Sequence, residues 1–130
     1  MNKTRGKVVH IKTVLNADGS LPEGVEYIGW QRSPKMNPWT HTYIPMSPWR
    51  NKNNRAYRSG EITLKESLKR FEEDTRGDAA LMAKLPELEG KTLACYCAGE
   101  NGNPEVLTLE DPEVCHGQVI LRLIEEVTQQ

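Results

Sequence analysis

No apolar run in the sequence approaches the roughly 20 residues that a membrane-spanning helix needs, so a transmembrane protein is not expected. The basic start Met1-Asn2-Lys3-Thr4-Arg5-Gly6-Lys7 is the kind that opens a signal peptide, but His10 and Lys12 interrupt the apolar stretch behind it, which argues against secretion. There are only three cysteines, an odd number that rules out a complete disulfide framework. They cluster within residues 95 to 115. That pattern suits free thiols or a metal site in a reducing cytoplasm. No repeat at solenoid or propeller periods and no low-complexity segment appears, and 130 residues suit one domain spanning 1–130.

One absence is local. Between Tyr27 and Gly60 there is no Asp or Glu, while Arg32, Lys35, Arg50, Lys52, Arg55 and Arg58 alternate with Trp30, Trp39, Tyr43, Trp49 and Tyr57. Residues 1–60 hold ten Lys or Arg against three acids, and 61–130 hold seven against fifteen, so a net charge of -1 hides halves of +7 and -8. Cations pair with phosphate and aromatic rings stack on bases, the combination expected for a nucleotide or single-stranded nucleic acid. Arg32, Trp49, Arg50 and Asn51 are the expected ligand contacts. The structural alternative is that the rings pin a long loop to the core and the cations balance the acidic helix at 61–74.

The patterning predicts an α/β fold. Residues 7–15 are rich in β-branched side chains and end at turn residues 16–20, and residues 25–30 form a second β-prone run that could pair with the first. Four prolines break the pattern through 31–60, which reads as a long loop and, by its length, as a functional one. Thr63-Leu64-Lys65-Glu66 fits a capping box, with Leu64, Leu68 and Phe71 on one helical face up to Gly77. A shorter helix is expected over 78–88, and residues 91–98 read as a buried strand. The last helix should run from 115 to 127 with Cys115, Val119, Leu123 and Val127 on one stripe. The expected order is roughly β-β-loop-α-α-β-α, a single compact domain with a small sheet and helices packed on it.

The chemistry concentrates at Cys95, Cys97, Cys115 and His116. On an extended strand Cys95 and Cys97 project to one face, and a helix returning from the strand's end brings residues 115 and 116 to the place where open α/β sheets bind ligands. Cys3His is an accepted zinc set, so zinc is the expected metal, although the C-x-C and C-H spacing differs from the C-x2-C of common zinc modules. An iron–sulfur cluster ranks below zinc. Below the metal reading, the thiols are small core residues, and below that they carry thiol catalysis. In that last case Cys115, at a helix start, is the expected thiolate, His116 the proton carrier, and Arg32 or Arg50 the phosphate clamp. Gly117 in a first helical turn implies close approach, of a strand or of an anion on the amides.

Gly90-Lys91-Thr92-Leu93-Ala94-Cys95-Tyr96-Cys97 and Cys115-His116-Gly117, together with Tyr27-Ile28-Gly29, resemble the motifs of a family of small phage and bacterial proteins, domain of unknown function 4326. The chain is similar to a divergent member. Trp30 stands where the family has arginine, Ser47-Pro48-Trp49-Arg50-Asn51-Lys52 replaces a Ser-x-Trp-Gly-Asn-Pro motif, and Gln118 stands where an acid is usual. The stretch 99–112 between the cysteines is longer than the resemblance implies and reads as a surface insertion. The leading expectation is a protein that binds or processes a nucleotide or nucleic acid through a pocket joining the basic aromatic loop to the Cys/His cluster, whether or not it is an enzyme. The alternatives are a non-catalytic binding module with structural zinc or buried cysteines, docking nucleic acid or a partner protein, and an accessory protein that binds an acidic host factor through residues 27–60. The oligomeric state has no signature in the sequence.

Overall fold

Short β-branched runs build a four-stranded mixed sheet from β1 (Lys7–His10), β2 (Val25–Tyr27), β3 (Thr92–Cys95) and β4 (Val106–Leu107). The strand order is β2-β3-β1-β4, with β1, β2 and β3 parallel and β4 antiparallel to β1. The computed structural model describes residues 6–16, 21–29, 47–95, 103 and 105–128. Parallel strands are covered on both faces, and the sequence obeys: Val8 and Leu93 are buried with the helices, Val9 and Ala94 on the opposite side with Ile11 and Tyr27.

The helices are α1 (Asn54–Arg58), α2 (Leu64–Arg76), α3 (Ala79–Lys84) and α4 (His116–Thr128). Thr63 starts α2 as expected, its hydroxyl accepting the Glu66 amide at 3.1 Å, and Leu68 and Phe71 are buried on the predicted face. Asp78 caps α3 by accepting the amides of Ala80 and Leu81. Of the expected stripe Cys115, Val119 and Leu123 are buried and Val127 is half-buried, with Ile120 and Ile124 buried beside them. The result is a single small α/β domain.

Several boundaries differ for identifiable reasons. The first strand stops at His10 rather than residue 15, because His10 Nδ1 accepts the Lys12 amide and its carbonyl accepts the Thr13 hydroxyl, winding Ile11–Thr13 into a 3-10 turn. β1 and β2 run parallel with β3 inserted between them, so the expected strand pair does not form. The 78–88 helix divides into α3 and a 3-10 turn over Leu85–Leu88, where Pro86 lacks the amide that would continue α geometry. Gly90, at φ +84°, then turns the chain into β3. Within the stretch expected to be loop, 54–58 form α1; within the stretch read as a surface insertion, Val106–Leu107 join the sheet and Leu107 is fully buried. The observed order is therefore β-β-α-α-α-β-β-α. Among the described residues no helix is long and apolar enough to cross a membrane.

Candidate functional site

Because β1, β2 and β3 are parallel, their carboxyl ends share one edge of the sheet. His10 and Cys95 lie side by side there, in register across β1 and β3. The Ile28 amide donates to the Ala94 carbonyl at 2.9 Å, extending β2 by one residue toward the same edge. α4 begins against it, and in open α/β sheets ligands bind outside this carboxyl edge.

The two sulfurs of Cys95 and Cys115 approach to 3.2 Å and are both buried as free thiols. Cys115 immediately precedes α4 and acts as its cap: its Sγ accepts the Gly117 amide at 3.3 Å. His116 Nδ1 stands 3.9 Å from the same sulfur. The other ring nitrogen, Nε2, is 2.6 Å from the Ile28 carbonyl oxygen. A carbonyl only accepts, so Nε2 carries the proton and Nδ1 presents its lone pair to Cys115. Burial pushes His116 below its ordinary value of 6.5, against the smaller opposing effects of Cys95 and the Ile28 hydrogen bond, so the ring is neutral at neutral pH. The Phe71 ring meets it edge-on, with centroids 5.1 Å apart.

Gln118 completes the capping box from the third helical position. Its Oε1 accepts the amides of Val114 (2.7 Å) and Cys115 (3.0 Å), while Nε2 donates to the carbonyls of Thr108 and Pro112, both at 3.0 Å. It is 1% exposed. A carboxylate at this position could accept but not donate, so the amide is what lets one side chain tie the strand-exit turn to the helix start.

The basic aromatic segment is anchored beside this cluster. The Ser47 amide donates to the Gly29 carbonyl at 2.9 Å, so the chain leaving after Gly29 returns to a point one residue from the carbonyl that holds His116. Of the expected ligand contacts, Trp49 (3% exposed) packs in the main core, and Asn51 (7%) donates to Ser67 Oγ and accepts the Asn53 amide. Both are occupied by the fold, while half-buried Arg50 donates to the Ser47 carbonyl. Gly117 is explained by close packing: a Cβ there would stand 2.7 Å from Val8 Cγ2 and 2.8 Å from Ile28 Cδ1. Arg32 and Cys97 lie outside the described residues. Of the expected ligand set, Cys95, Cys115 and His116 are brought together, yet among the described residues no group of three or more His, Cys, Asp or Glu side chains is set to hold a metal ion. The Gln118 clamp was readable from the Cys-x-x-Gln spacing; the Ile28 carbonyl, a backbone group, left no signal in the sequence.

Fold and site together define a small α/β domain with a dithiol and a neutral histidine at the carboxyl edge of a parallel sheet. The chain belongs to the family described as Domain of unknown function (DUF4326), whose model matches residues 15–126. No curated protein and no solved structure matches it.

Proposed function

We propose that the protein binds a nucleotide or a single-stranded nucleic acid over the carboxyl edge of its sheet, with the basic aromatic segment making the contacts and the Cys/His cluster forming the floor beneath them. The observation that carries this reading is the backbone clasp from Ser47 to Gly29, which anchors a chain segment bearing Trp30, Arg32, Lys35, Trp39, His41 and Tyr43 next to the carbonyl that fixes His116. Cations at such an edge supply phosphate affinity and rings supply stacking. Free buried thiols accord with a reducing cytoplasm as the working compartment.

The test is tryptophan fluorescence of the full chain titrated with a nucleoside monophosphate and, separately, with a short single-stranded DNA, at low and at physiological salt. Binding is expected to weaken steeply as salt rises, and Arg32→Ala to weaken it about tenfold, the loss of one charge-assisted hydrogen bond. No binding of either ligand at low salt, or an affinity indifferent to salt, overturns the proposal.

A further inference from the structure

We infer that Cys95 and Cys115 form a reversible disulfide site at which the Cys115 thiol reacts with a hydroperoxide and Cys95 resolves the product. This does not rest on what the basic segment binds. The geometry assigns the two sulfurs different parts. Cys115 has what stabilises a thiolate: the start of a 13-residue helix, a hydrogen bond from the Gly117 amide, and the His116 Nδ1 lone pair facing it to receive the proton. Cys95, at the end of β3, lies 3.2 Å from the Cys115 sulfur, which is where a resolving thiol belongs. The separation lies between the roughly 2.05 Å of a disulfide and the roughly 3.8 Å between two thiolates on one tetrahedral zinc.

Hydrogen peroxide serves as the two-electron oxidant. The Cys115 proton passes to His116 Nδ1, and the thiolate attacks one oxygen of hydrogen peroxide. The S–O bond forms as the O–O bond breaks, and the departing hydroxide takes the proton from His116 to leave as water. Cys115 then carries a sulfenic acid. The Cys95 sulfur attacks the Cys115 sulfur, the S–S bond forms, the S–O bond breaks, and the hydroxyl leaves with the Cys95 proton as a second water. Two thiols lose two electrons and two protons, and the peroxide accepts both. Cys95 and Cys115 are nearly fully buried, at 2% and 1% exposure, which favours a small uncharged oxidant over a protein or peptide disulfide.

The experiment treats full-length reduced protein with one equivalent of hydrogen peroxide, denatures it, alkylates the free thiols and maps the products with a glutamate-specific protease. That protease separates Cys95 from Cys115 at Glu100, Glu105, Glu110 and Glu113. The expected product has lost two of its three thiols, carries a link between the peptides of Cys95 and Cys115, and recovers all three thiols with dithiothreitol. Cys97→Ser is expected to form the same link at the same rate. Three thiols surviving the peroxide would overturn the inference, as would a link that Cys97→Ser abolishes. Stoichiometric zinc that co-purifies with the chain, shields the thiols and is lost in Cys115→Ala would overturn it equally.

Discussion

The two ends of α4 are secured by opposite means. At the N-terminus the anchors are buried and mutually satisfied: Gln118 holds the amides of Val114 and Cys115 and the carbonyls of Thr108, Asp111 and Pro112, Cys115 takes the Gly117 amide, and His116 reaches the Ile28 carbonyl. Farther along, the anchors are ion pairs at the surface. Arg122 grips Glu72 of α2 with two hydrogen bonds of 2.7 and 3.1 Å, Arg76 grips Glu126 with 2.7 and 3.0 Å, and Arg76 also reaches Glu72 at 2.9 Å. Water can replace a lost partner at the surface but not in the interior, so the first end should fail abruptly and the second by degrees.

The largest effect should follow Gln118→Leu, which keeps an apolar volume but strands two amides and three carbonyls in the interior. A loss of about 4 kcal/mol is expected from several unsatisfied groups together, read as a lower urea midpoint with unchanged slope. A cost below about 1 kcal/mol would show that water reaches this end after all. Next comes Gly117→Ala. Its added methyl must displace Val8 and Ile28 side chains in a packed interior, at a cost of about 2 kcal/mol. The smallest should be Glu72→Gln, about 1 kcal/mol, because its partners stay solvated with Arg122 and Arg76 both about 40% exposed.

Acid separates the same two ends by window. His116 has its affinity for protons lowered by folding, so between its ordinary value and its folded one the unfolded chain binds a proton that the folded chain refuses. Stability from this source is complete above about pH 6.5 and falls as the pH is lowered. Glu72 is held down to about 2, chiefly by the Arg122 hydrogen bonds, and it too favours the folded state, but over a lower window: complete above 4.5, lost as the pH falls toward 2. Urea midpoints measured across both windows should show two separate declines. The upper one is expected to vanish in His116→Gln, which retains an amide donor for Ile28, and the lower one to shrink in Glu72→Gln. A single decline common to all three proteins would erase the distinction between the two ends.

Much of this architecture was legible in advance. Periodicity located α2 and α4, the Thr63 cap marked where α2 begins, and the strand-loop-helix argument brought Cys95 to Cys115 and His116. What stayed hidden depended on partners distant in sequence. A two-residue strand such as β4 has no period to detect, and the insertion of β3 between β1 and β2 is set by crossover connections that leave no local mark. Trp49 and Asn51 looked like ligand contacts because an aromatic and an amide in a basic stretch have the same composition whether they face solvent or the core. In the fold Trp49 belongs to the main core together with Leu68 and Phe71, and Asn51 donates to Ser67, 16 positions along the chain.

The clasp between Ser47 and Gly29 joins backbone to backbone and so reads none of the side chains that lie between them. The domain is therefore built like a ring setting: the mount is fixed by β2, β3 and α4, and the stone between Gly29 and Ser47 can be exchanged. Substitutions between Gly29 and Ser47 are therefore expected to leave this backbone hydrogen bond, and the dithiol edge next to Ile28, as they are.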